Sequence, residues 1–470
     1  MSLKVAWVGL RGLPGVQGGV ETHAEQLCPR LHTLGCDMTV LGRLPYQRAQ
    51  AGTIWRGVHL RPLWAPRHKH LEAVVHTFLA ILHAGLVSRP DVLHIQAIGP
   101  GLWTPLARLL GLRVVVTHHG ADYERQKWGP LARWVLRQGE ALATHWAHEL
   151  IVISRTIQAD VAMRHGRQGA CIPNGMTPPS APADPALLAE FGLRPQRYLL
   201  LVSRLVPEKR HLDLINAFGR ARSQGLLQGW NLALVGAADH ADAYARQVAD
   251  AAARTPGVVM TGFQTGAALQ ALLAHAGVFV LPSSHEGLPI ALLEALAWGI
   301  TPLASDIPPH RELRLTQDSY FALGDVAALS ASLVRLADRV EHHEGPAERL
   351  ERMQEAARRF DWDDSARQTR AVYERVGGLA STKGGCPTVI SIRPHESERA
   401  PDHGAGLDAS PQPTRRASDA VTSAPAPRLR RHMPRGGVDG TVGGGKDRLR
   451  MLQADLDHLA EAPPLQHPYP

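Results

Sequence analysis

The sequence predicts an α/β protein with two parallel sheets, each covered by helices on both faces. Three observations carry that prediction. Short, almost unbroken apolar runs alternate with longer stretches of helical period up to about residue 380. The alternation occurs as two series. A loop at 172–185 with five prolines divides them. The first series places strands at 4–10, 38–41, 92–95, 113–117 and 150–154, with a helix at 20–34. The second places strands at 198–203, 230–235, 258–261, 278–281 and 301–304. Its helices fall at 186–191, 212–224, 241–253 and 288–298. Two such series read as two Rossmann-like, doubly wound domains. Open α/β sheets bind ligands beyond the carboxyl ends of their strands, so the expected site is a cleft between them.

Composition narrows the function classes. The chain has 470 residues, a formal charge of +8, 44% apolar and 20% charged residues, which suits a large core and excludes wholesale disorder. The positive balance is spread along the chain without a basic-aromatic module, so nucleic acid is not an expected partner. Four scattered cysteines contain no CxxC pair, which argues against a zinc ribbon and fits a reducing compartment. The N-terminal MSLKVAWVGL reads as a buried strand rather than a signal peptide. The longest apolar stretch, 71–87, carries Glu72, His76 and His83 and is too short to span a bilayer. A cytoplasmic protein follows, with membrane contact only at its surface. Residues 381–470 hold twelve prolines and ten glycines and read as a disordered tail with one short helical stretch at 447–460.

Four segments carry chemistry. In Ser284-His285-Glu286-Gly287-Leu288-Pro289-Ile290, a buried strand runs into a helix whose first turn suits Pro289. Gly287 would let backbone approach a ligand, and the amides near Leu288 and Ile290 with the helix dipole form an anion site. Glu286 and Glu294, eight apart, bracket that turn and could accept hydrogen bonds from sugar or ribose hydroxyls; a cap and a solvated glutamate are the plain alternative. Arg204 and Lys209 follow a strand, where two cations can meet a diphosphate or join an ordinary surface ion pair. Lys209 is one of only six lysines. A glycine-rich turn through Gly18 and Gly19 joins the first strand to the first helix. It can approach phosphate or sugar, or simply turn the chain. His118 and His119 end a strand and point toward the cleft. No carboxylate–His spacing supports a metal there, and a structural role is the other reading.

These segments, SHEGLPIALLEALAWG, SRLVPEKR, IPNG at 172–175 and the glycine-rich turn, resemble glycosyltransferase family 4 over residues 3–377. The N-terminal half (RGLPGVQGGVETHAEQL, DVLHIQAIGPG, THHGADYERQKWG) resembles its bacterial rhamnosyltransferase-like subgroup. The resemblance implies the GT-B fold, with an acceptor-side domain at 1–178 and a nucleotide-sugar domain at 185–357. It also implies a final helix at 358–378 crossing back to the first domain. The tail is not part of the pattern. The resemblance further implies a retaining, metal-independent hexosyl transfer without a cofactor, from a nucleotide-diphosphate sugar to a saccharide or polyprenyl-linked saccharide, in surface polysaccharide synthesis. By position, Glu294 would bind ribose and Glu286 the donor sugar. Gly18, Gly19, Arg204 and Lys209 would lie at the diphosphate, with Gly287, Leu288 and Ile290 donating amides. Asn174 would join the donor site from the interdomain loop. His119 best matches the active-site histidine, with His118 as the alternative. A basic edge of Arg61, Arg67, His68, Lys69 and His70 before the apolar stretch could touch anionic lipid. A GT-B-fold epimerase and a non-catalytic nucleotide-sugar binder are the rival functions.

Overall fold

The computed structural model describes residues 2–46, 53–68, 71–125, 128–179, 183–238 and 243–378. Lys69, His70 and the expected tail, with its helical stretch at 447–460, lie outside the described residues.

The first sheet contains β1 (Leu3–Val8), β2 (Cys36–Arg43), β3 (Thr53–Trp55), β4 (Val58–Leu63), β5 (Val92–Gln96), β6 (Val114–His118), β7 (Glu149–Val152) and β8 (Ala170–Cys171). Its spatial order is β3-β4-β2-β1-β5-β6-β7-β8. The second contains β9 (Tyr198–Val202), β10 (Asn231–Val235), β11 (Val258–Gly262), β12 (Val278–Leu281), β13 (Thr301–Ser305) and β14 (Tyr320–Phe321), ordered β11-β10-β9-β12-β13-β14. Val8, Ile95, Val116, Leu199, Leu200 and Val280 are fully buried in strand centres, as expected of sheets covered on both faces. Each such side chain contributes roughly 1.5–3 kcal/mol by leaving water.

The sheets are parallel with one exception. β3 runs antiparallel to β4 at the edge of the first sheet, because Arg56 and Gly57, both at positive φ, turn the chain back in a tight hairpin. The first strand stops at Val8 rather than residue 10, and Gly9 already belongs to the turn. Pro289 is the N-cap of the helix Ile290–Ala297, not a residue of its first turn. The stretch after the proline-rich loop is a 3-10 helix, Pro185–Phe191, capped by Asp184.

Both strand orders reverse, at β1/β5 in the first sheet and at β9/β12 in the second. Each reversal opens a crevice at the carboxyl ends, because the crossovers on its two sides run in opposite directions. The last helix, Trp362–Gly377, lies against the first sheet although it follows the second in the chain. Trp7 Nε1 donates to Tyr373 Oη at 2.9 Å, and Tyr373 Oη in turn donates to His94 Nδ1 at 2.6 Å. His94 Nε2 therefore carries the ring proton and donates to Thr117 Oγ1 at 2.7 Å. Ser365 Oγ donates to the Pro173 carbonyl at 2.7 Å, fastening the start of that helix to the interdomain loop.

Candidate active site

A cleft of about 1890 Å³ collects the loops at both crevices. Gly18, Gly19, His118, His119, Asn174, Arg204, Lys209, Glu286, Gly287, Leu288, Ile290 and Glu294 all line it. The turn after β1 is organised by Arg11. Its backbone N–H and Nε donate to Glu21 Oε1 at 3.0 and 3.2 Å, and Nη2 donates to the Gln17 carbonyl at 2.7 Å. Gln17 Nε2 reaches across to the Ala237 carbonyl at 3.3 Å. Gly18 sits at φ 151°, where a Cβ would lie 2.1 Å from a Glu21 carboxylate oxygen. Burial pushes the Glu21 carboxyl up. Arg11 beside it and Arg204 across the cleft reverse this, and the carboxyl is held below its ordinary value.

The second domain supplies an ion pair. Lys209 Nζ lies 2.5 Å from Glu286 Oε1 in the cleft, with both side chains largely buried. Burial raises the Glu286 carboxyl, but Lys209 and His310 outweigh it and keep the group ionised below the usual range. Glu294 is the opposite case. Burial and then the neighbouring Glu25 carboxylate push it up to about 7. Two glutamates that bracket one turn are thus held in different protonation ranges by their surroundings.

Gly287 was expected to admit a ligand. What it admits is protein: a Cβ there would fall 2.1 Å from the His119 carbonyl oxygen and 3.1 Å from Ile153 Cδ1. The two domains touch at this point because Gly287 carries no side chain.

Asn174 is likewise engaged by protein. Its Nδ2 donates to the Leu288 carbonyl at 2.9 Å, so Oδ1 accepts from His23 Nδ1 at 2.8 Å. Only 2% of it is exposed; it acts as a brace between the domains rather than a free ligand group. His23, buried and held neutral with its pKa lowered to about 4, packs edge-on against His119 at 4.8 Å.

The two adjacent histidines have different duties. His118 Nδ1 accepts from the Gly120 N–H at 3.1 Å, so its Nε2 donates to the buried Glu140 at 3.0 Å. Both of its nitrogens are occupied below the cleft wall. His119 is the partly exposed one, with Nε2 2.8 Å from Gln96 Oε1. Burial, then His23, His94 and His118, hold it well below the usual histidine pKa, so it is neutral.

Sequence reasoning passed over Arg11, Glu21, Glu25, His23 and Gln96. The spacing of Glu21 and Glu25 on one helix face was visible, but only the fold turns that face to the cleft. Among the described residues, no group of three or more His, Cys, Asp or Glu side chains is arranged to hold a metal ion.

Two family profiles cover most of the described chain. "Glycosyltransferase Family 4" matches residues 17–178, and "Glycosyl transferases group 1" matches residues 189–360. The chain belongs to glycosyltransferase family 4. Among relatives of this family 4 protein is the alpha-maltose-1-phosphate synthase of Mycobacterium tuberculosis, 27% identical over 404 residues, covering 80% of this chain and 100% of that one. A second is the GDP-mannose:cellobiosyl-diphosphopolyprenol alpha-mannosyltransferase of Komagataeibacter xylinus, 26% identical over 200 residues, covering 40% and 47%. The two-sheet GT-B fold of this chain matches the sucrose-phosphate synthase of Thermosynechococcus elongatus with a TM-score of 0.66 at 19% identity, over 80% of this chain and 100% of that one. Anabaena Alr3699/HepE, solved with UDP and glucose, gives 0.62 at 17% identity over 79% and 100%.

Proposed function

We propose that this family 4 glycosyltransferase moves a hexose-type sugar from a nucleotide-diphosphate sugar to a saccharide or lipid-linked saccharide, with retention and without a metal. The observation that carries the reading is the Lys209–Glu286 pair at the mouth of the β9 and β12 loops. It puts a cation and a carboxylate side by side, one for a diphosphate and one for a sugar hydroxyl. Arg204 and the first-turn amides of Ile290–Ala297 complete the anion side. As the bond from the anomeric carbon to the diphosphate breaks, negative charge grows on the leaving oxygen. Lys209, Arg204 and the helix N-terminus meet it in a site held ready in advance. The acceptor oxygen bonds to the same face of the anomeric carbon and passes its proton to the departing diphosphate. Glu286, ionised and tied to Lys209, orients a sugar hydroxyl, and Glu294 accepts from the ribose.

The cellobiosyl-diphosphopolyprenol acceptor named for one relative supports a lipid-linked acceptor. Trp64 and Leu71 are exposed near Arg67 and His68 on the stretch leading to the cleft. That combination suits contact with an anionic membrane. No described helix is long and apolar enough to cross one. The test is transfer from a panel of UDP-, GDP-, dTDP- and ADP-sugars, with the anomeric configuration of the product read by NMR and EDTA present throughout. Inversion, or activity lost to EDTA and restored by a divalent cation, contradicts the corresponding half of the mechanism.

A further inference from the structure

Gln96 is the last residue of β5, at the strand reversal of the first sheet, and it is wholly buried. A neutral glutamine with no exposure is expected to spend both ends of its amide on partners. Here Oε1 meets His119 Nε2 at 2.8 Å, while Nε2 has no hydrogen-bond partner. The next residue, Ala97, is held at φ 71°, a conformation costly for any side chain and one that persists where surrounding structure enforces it. A buried amide set just before a sharp backbone turn, and spent on one contact, is a device for holding that contact.

The direction of the contact fixes the histidine. An amide oxygen can only accept, so His119 Nε2 carries the proton and Nδ1 keeps its lone pair. Nδ1 is then the remaining polar atom of a ring that lines the cleft. Resting on the glycosyltransferase reading above, we propose that Gln96 is a positioning residue for transfer. Its carbonyl holds His119 in the Nε2–H tautomer, so that Nδ1 presents only a lone pair to the cleft. The groups around His119 agree with a neutral ring. His23 faces it from the helix Gly19–Thr33, His94 from β5 and His118 from β6. From the second domain comes the loop of Gly287, whose neighbour Glu286 is already committed to Lys209.

Three variants and one spectrum test this on the full chain. Gln96→Met keeps the volume and removes the acceptor. It should lower kcat about tenfold or more while leaving KM for the nucleotide sugar nearly unchanged. Gln96→Glu keeps an acceptor and adds a charge that favours the imidazolium. It should keep most activity at high pH and gain an acid limb that wild type lacks. His119→Ala should be insensitive to adding either change. Because Gln96 is buried, the tautomer is also read in the wild-type protein from the ring nitrogen NMR shifts of His119, which should show Nδ1 unprotonated. Wild-type kcat in Gln96→Met overturns the proposal. So does a proton on Nδ1, or a folded Gln96→Glu protein inactive at every pH, since that marks an amide that donates rather than accepts. A wild-type enzyme that binds nucleotide sugar but neither transfers nor hydrolyses it overturns the transferase reading, and this inference with it.

Discussion

At the scale of residues, burial and neighbours decide what each group in the cleft can do. Glu286 is kept ionised by Lys209 and His310, while Glu294 is raised to about 7 by burial and Glu25. A carboxyl raised in the folded state binds more protons folded than unfolded between its ordinary value and about 7. Its share of stability is therefore full below that window and lost as pH rises through it. Donor binding runs the other way, because ribose hydroxyls donate to the ionised form. Affinity for an intact nucleotide sugar, whose diphosphate has no titration in this range, should rise as pH climbs through about 7. Glu294→Gln should flatten that rise, and titration calorimetry at several pH values reads it directly. Lys209→Ala removes the cation opposite the leaving group and should cut transfer by about 10²-fold with the fold intact. Near-normal turnover in that variant would remove Lys209 from the mechanism.

At the scale of elements, a single buried hydroxyl helps tie the last helix to the first sheet. Tyr373 accepts from Trp7 and donates to His94 in a buried site. Tyr373→Phe strands both partners and should cost about 2 kcal/mol or more of stability, measured by denaturant unfolding. Both β-α series and the cleft-facing loops were legible in the sequence, because buried parallel strands leave long apolar runs and loops after them collect Gly, Pro and charge. The β3–β4 hairpin was not, since Thr53–Trp55 is three residues long and lacks an apolar run. The roles of Gly287 and Asn174 were also hidden. Their partners, the His119 carbonyl and the Leu288 carbonyl with His23, are backbone or distant groups that no local spacing reveals. Gln96 carried no motif; only its burial and its contact with His119 single it out.

At the scale of the whole molecule, the two sheets meet where bulk is absent and polar groups cross. Gly287 abuts the His119 carbonyl, and Asn174 links His23 to Leu288. Glu312 accepts from the Arg155 and Thr156 amides at 2.8 and 2.6 Å, satisfying the start of the helix Arg155–His165. Gly287→Ala forces its Cβ against that carbonyl. It should leave a folded protein whose kcat falls strongly and whose thermal unfolding midpoint drops, because the clash is with backbone and one apolar core runs on from the strands of the first sheet to those of the second. The central claim is that this cleft is built around a nucleoside diphosphate carrying a sugar. Titration calorimetry of wild type and Lys209→Ala with UDP-, GDP-, dTDP- and ADP-sugars tests it most directly. One of them should bind wild type with one-to-one stoichiometry and bind Lys209→Ala at least about tenfold more weakly, the loss of one charge-assisted contact. Binding of none of the four, or equal binding to both proteins, would contradict it.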